Sequence, residues 1–178
     1  MASATVAGPG NVVVPREIEV TTGHLPTAQM DDVREFQGKL IDARSPRRFQ
    51  GRREVLDLQA GHIPGAVNLP VGDLFDEVLI GAGDGAGADG AGAGAGVAAG
   101  EYAATKVKSP EEIRARLAEA GITESTTPEE AIVYSGSGNH SALLLAAMEH
   151  AGLPVLSHYV AGWSQWSADP HNPVSTDL

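Results

Sequence analysis

Ala131-Ile132-Val133-Tyr134-Ser135-Gly136-Ser137-Gly138-Asn139-His140-Ser141 passes from a short apolar run into a glycine-rich turn and on into helix-forming sequence. Ala131–Tyr134 reads as a buried-type strand. A helix is expected from about Ser141 to Ala151, stopped by Gly152 and Pro154. Between the two, glycines allow the backbone to curl until successive N–H groups converge, and the helix that follows adds the positive end of its dipole. Such a loop is a cradle for an anion, lined by Gly136, Ser137, Gly138, Asn139 and His140. Ser135, at its entrance, would face the bound group.

The same alternation extends outward. Leu40-Ile41 opens a short strand ending at Asp42, and Ala66–Leu69 reads as another after the Gly61-His62-Ile63-Pro64-Gly65 turn. Ser109-Pro110-Glu111-Glu112 starts a helix, with Ser109 as cap, Pro110 in the first turn and Glu112 completing a capping box. Ile113, Leu117 and Ala120 form its apolar stripe, and Gly121 ends it. Val155-Leu156 begins a further strand. Strands separated by helices imply an α/β fold, a parallel sheet flanked by helices. In such sheets ligands bind beyond the carboxyl ends of the strands. Asp42 and Arg44, two apart, point the same way there.

Length and charge bound the reading. The 178 residues suit one domain, and 42% apolar content is enough for a core. With 12 basic against 23 acidic residues the formal charge is -11, which opposes attraction to nucleic acid or anionic lipid. Arg44, Arg47, Arg48, Arg52 and Arg53 are nevertheless five of those twelve basic residues, a local attractor for an anion or else a solvated face. There are no cysteines, so no disulfide, thiolate metal site or thiol nucleophile can form. The six histidines have no metal-ligand spacing, and neither metal nor cofactor is expected. No membrane span or secretory signal is legible, which makes the cytoplasm the default. Residues 1–29 read as an extended arm and 30–176 as the domain. Within it, 17 of the 20 residues in 81–100 are Gly or Ala, a composition expected to form a flexible insertion.

Leu40-Ile41-Asp42-Ala43-Arg44-Ser45 and Ala60-Gly61-His62-Ile63-Pro64-Gly65-Ala66-Val67-Asn68-Leu69-Pro70 together resemble the rhodanese domain. Ser109–Glu112 and Trp163-Ser164-Gln165-Trp166-Ser167-Ala168-Asp169-Pro170 sharpen the resemblance to the second domain of thiosulfate and 3-mercaptopyruvate sulfurtransferases. The resemblance implies a parallel sheet with helices on both faces. It also implies transfer of a sulfane sulfur from a small anionic donor to a thiophilic acceptor, through a cysteine persulfide. Ser135 stands at the position of the family's catalytic cysteine, Asn139-His140 replace its usual Val-Thr pair, and the substrate-binding arginine maps to Arg44, with Asp42 in support. A second rhodanese domain or a sulfur-relay protein is the implied partner.

Ser135 alters the chemistry. A thiol near pKa 8.5 can be brought to the thiolate by a cradle of N–H donors. A hydroxyl there stays protonated and cannot carry a persulfide. The expectation is an impaired family member, acting as an anion-binding or regulatory module. The alternative is an active thiosulfate sulfurtransferase whose serine artificially replaces the cysteine. A Ser135–His140 pair, a phosphatase-like hydrolysis and a dinucleotide fingerprint in Gly136–Ser141 are weaker readings. The first puts both groups on one loop with no orienting acid in evidence, the second lacks a competent nucleophile for an anion, and the last lacks its third glycine.

Overall fold

Strand and helix alternate along the computed structural model, which describes residues 23, 25–80 and 102–177. The order is α1 (Met30–Glu35), β1 (Lys39–Asp42), α2 (Pro46–Phe49), β2 (Val67–Asn68), a 3-10 turn (Val71–Leu74), β3 (Phe75–Ile80), β4 (Tyr102–Val107), α3 (Pro110–Glu119), β5 (Ala131–Tyr134), α4 (Asn139–His150), β6 (Ser157–Tyr159) and α5 (Gly162–Trp166).

A four-stranded sheet runs β2-β1-β5-β6, and all of its pairings are parallel. Side chains alternate between faces along a strand, so β5, buried at all four positions, feeds two cores. Ala131 and Val133 join Ile41, Ile113, Leu117, Leu144 and Met148 under α3 and α4. Ile132 and Tyr134 join Leu40, Val33, Trp163 and Trp166 under α1 and α5. Helices therefore cover both faces. The α3 stripe is as read from the sequence: Ile113 and Leu117 are fully buried, each contributing about 1.5–3 kcal/mol. Ser109 caps the helix, its hydroxyl accepting from the Glu112 N–H while the Glu112 carboxylate accepts from the Ser109 N–H.

The structure differs from the sequence reading in four places. α4 starts two residues early, at Asn139, because Gly138 takes a left-handed conformation (φ 88°) that turns the chain straight into the helix. Sheet pairing on the last strand begins at Ser157; Val155 and Leu156 pack into the core ahead of it without joining the ladder. Residues 26–28, expected in the arm, add to the β6 edge: His158 N–H donates to Pro26 and Ala28 N–H to His158. Finally, β3 and β4 form an antiparallel ribbon from Phe75↔Val107 to Ile80↔Tyr102. It flanks the Gly/Ala stretch, which itself lies outside the described residues. No described helix is long and apolar enough to cross a membrane.

Candidate active-site loop

The loop after β5 is shaped by what holds its carbonyls. Trp163 N–H donates to the Ser135 carbonyl at 2.7 Å and Ser164 N–H to that of Gly136 at 2.9 Å, so α5 ties down the outer side of the turn. Gly162 must be glycine for this approach: with φ at 55°, a Cβ would run into the Ser135 carbonyl. A Cβ at Gly138 would likewise come within 2.8 Å of the Val160 carbonyl. With the carbonyls anchored, the N–H groups of Gly136, Ser137, Gly138, Asn139 and His140 have no acceptor among the described residues. They sit at the start of α4, where the helix dipole is positive.

Ser135 is 1% exposed. Its Oγ lies 3.1 Å from the Ser141 Oγ, which lies 2.7 Å from His158 Nε2 and 2.9 Å from the Gly138 carbonyl. His140, the base considered from sequence, is exposed and makes no hydrogen bond to Ser135 among the described residues. Neither Ser141 nor His158 carried a local signal. They meet because β6 pairs with β5 so that His158 opposes Val133. Cross-strand partners share a face, here the one covered by α4.

Burial holds the His158 imidazole below its ordinary value of 6.5. An unfolded chain then binds this proton at higher pH than the folded one, so the stability involved is complete above 6.5 and is lost as pH falls through the folded value. The urea midpoint should drop as pH falls below about 6.5, and His158→Gln should flatten that part of the fall. An unchanged slope in the variant would refute the assignment.

The arginines divide sharply. Arg44 does not reach the mouth where the sequence reading placed it. It is 0% exposed, donating from Nε and Nη2 to the Asp42 carboxylate (2.6–3.1 Å) and from Nη2 to the Gly61 carbonyl at 2.7 Å. Its guanidinium stacks 4.7 Å from the Trp163 ring. Burial works against its charge, but the hydrogen bonds and charge of Asp42, with Tyr134 and Glu54, outweigh burial and raise it above the usual arginine value. Asp42, equally buried, is therefore Arg44's counter-ion.

The cation at the loop is Arg48. A Cβ on Gly136 would lie 3.3 Å from its Nη1. Two carboxylates already share it, Glu54 at 3.0 Å and Asp57 at 2.7 Å. The Glu54 side chain is only 5% exposed, a cost offset by the Leu56 and Asp57 N–H groups and by Arg48, which together hold its carboxyl below the usual glutamate value. Two of the five arginines are thus paired with carboxylates, while Arg47, Arg52 and Arg53 are exposed. His62 is structural, with Nδ1 2.8 Å from the Phe49 carbonyl and its ring stacked on Phe49. Trp163 and Trp166 anchor the final segment through their indole N–H groups, on the Gln59 and Pro173 carbonyls.

The chain that forms this parallel sheet, with its glycine-rich loop at the carboxyl end of the inner strand β5, matches the rhodanese-like domain family model over residues 25–169. The chain belongs to that family. Among its relatives, a Mycobacterium tuberculosis protein named as a thiosulfate sulfurtransferase, SseB, is 33% identical over 76% of this chain and 37% of its own length. A Pseudomonas aeruginosa protein named as a 3-mercaptopyruvate sulfurtransferase is 31% identical over 77% of this chain and 38% of its own. The solved 3-mercaptopyruvate sulfurtransferase from Leishmania major superposes with a TM-score of 0.57 at 26% identity, covering 83% of this chain and 34% of that one. This rhodanese-like domain thus spans little more than a third of these three relatives, each named as a sulfurtransferase.

Proposed function

We propose that this rhodanese-like domain binds small sulfur oxyanions such as thiosulfate in the Ser135–His140 loop without turning them over. The observation that carries the reading is an oxygen, Ser135 Oγ, at the head of a loop with five N–H groups that have no acceptor among the described residues, in a chain with no cysteine. Such a loop satisfies an oxyanion by hydrogen bonds alone. A sulfane sulfur, however, has no thiolate to accept it. A sulfur-relay protein or a second rhodanese domain is the partner that fits a non-catalytic member.

Arg48, rather than Arg44, is the cation placed to meet the anion, and it must be shared with or released by Glu54 and Asp57. Calorimetry with thiosulfate and sulfate tests this. Arg48→Ala should weaken binding about tenfold, the worth of one charge-assisted hydrogen bond. Glu54→Gln keeps an acceptor for the Leu56 and Asp57 N–H groups but removes a competing charge. It should tighten binding about fivefold, or roughly 1 kcal/mol. Absence of heat with the parent chain, or indifference to both variants, would refute the reading.

A further inference from the structure

The Ser135–Ser141–His158 chain is unused by anion binding, and its parts suit a different electrophile. We propose that Ser135 is an acyl-accepting nucleophile for esters of short carboxylic acids, with Ser141 relaying its proton to His158. The inference rests on the cradle reading for its oxyanion site but does not need Arg48.

The geometry supplies each role. Ser141 has one hydroxyl proton and two acceptors within reach, His158 Nε2 at 2.7 Å and the Gly138 carbonyl at 2.9 Å. Directed to His158, that proton leaves Ser141 free to accept from Ser135, 3.1 Å away. His158 is kept neutral by burial and so can take a proton at neutral pH. When it is protonated, Nε2–H donates to Ser141, Ser141 donates to Gly138, and the relay is closed. Oxygen bonded to a base is a poor match for sulfane sulfur but a good one for a carbonyl carbon. The loop N–H groups, without acceptors among the described residues, are the donors available to the oxygen on which negative charge develops.

In the acylation step the Ser135 Oγ forms a bond to the carbonyl carbon. Its proton passes to Ser141 as the Ser141 proton passes to His158. The carbon–oxygen bond to the leaving group breaks, and the alcohol departs with the proton that His158 returns. Water then attacks the Ser135 ester, gives up a proton along the same path, and releases the acid with Ser135 reprotonated. Ester and water become acid and alcohol, with no redox change.

Acyl size is set by the surroundings. Ser135 is 1% exposed, Arg48 covers Gly136 and the Val160 carbonyl closes on Gly138, which favours an acetyl over a bulky acid. His158 also lines a cavity of about 340 Å3 between Leu25–Thr27, α4 and β6, which lets it exchange protons with solvent. Glu149 is the other titratable group on that cavity.

The experiment is reaction of the full chain with p-nitrophenyl acetate, read by peptide mapping and mass spectrometry. One acetyl group should appear on Ser135. The rate should rise with pH through a midpoint below 6.5, the ordinary histidine value. His158→Gln should slow acetylation of Ser135 at least about 100-fold and abolish that midpoint. Ser141→Ala should act similarly, while Glu149→Gln should shift the midpoint without lowering the plateau. Acetate found only on lysines, the amino terminus or exposed Ser137 would overturn the proposal, as would a His158→Gln chain acetylated at Ser135 at the parent rate. Circular dichroism of each variant separates loss of chemistry from loss of fold. Since acylation is read by mass and oxyanion binding by heat, the two readings can fail separately.

Discussion

Ser135→Cys should give this domain thiosulfate:cyanide sulfurtransferase activity, and the parent chain should show none in the same assay. The loop already holds what a thiolate needs: five N–H groups without acceptors among the described residues, the positive end of α4, and carbonyls pulled away by α5. A thiol placed there should fall from near 8.5 to about 7 or below, so that about half of it or more is thiolate at neutral pH. The thiolate attacks the outer sulfur of thiosulfate, sulfite leaves, and the persulfide passes its terminal sulfur to cyanide as thiocyanate. Mass spectrometry after thiosulfate treatment should find one additional sulfur on the variant and none on the parent. Adding Arg48→Ala should raise KM for thiosulfate more than it lowers kcat, because Arg48 meets the donor rather than the transferred atom. Thiocyanate production by the parent chain, or a variant whose thiol titrates low yet never takes up sulfur, would break the link drawn between Ser135 and inactivity.

How legible all this is before folding depends on how local each feature is. The strand–loop–helix around Ser135 could be read because every determinant lies within a dozen consecutive residues: an apolar run, glycines, then helix formers. The α3 capping box is local in the same way. The proton path is not, because Ser141 and His158 come together only through the register of β5 with β6. A histidine at that place looks like any other in the sequence. The arginine cluster misleads for a related reason. Five arginines in ten positions suggest an anion attractor, yet two turn inward onto Asp42, Glu54 and Asp57. Period-two reasoning puts Asp42 and Arg44 on one side; β1 ends at Asp42, and the two side chains pair with each other. That periodicity carried no information on whether the pair would face solvent or each other. The β3–β4 ribbon was missed because its partners are separated by more than twenty residues of unrelated composition.

Arg44→Ala should cost about 3–5 kcal/mol of stability, the penalty for leaving the buried Asp42 carboxylate without its partner. The loss is large because Arg44 serves several neighbours at once. Its side chain neutralises Asp42, donates to the Gly61 carbonyl and packs on Trp163, while its own N–H donates to Asp42 at 2.9 Å. Nη1, which has no hydrogen-bond partner among the described residues, lies 3.8 Å from Glu54, so the pair also touches the carboxylate that holds Arg48. Replacing both charges, as Asp42→Leu with Arg44→Met, removes the uncompensated ion and should recover most of the loss, since buried pairs often exchange for apolar ones at little cost. Urea unfolding of the two single variants and the double variant provides the measurement. A single variant within about 1 kcal/mol of the parent would mean that Asp42 finds water or another donor. If Arg44→Ala instead kept its stability and selectively lost thiosulfate binding, Arg44 would be a ligand residue after all and Arg48 would lose its assignment.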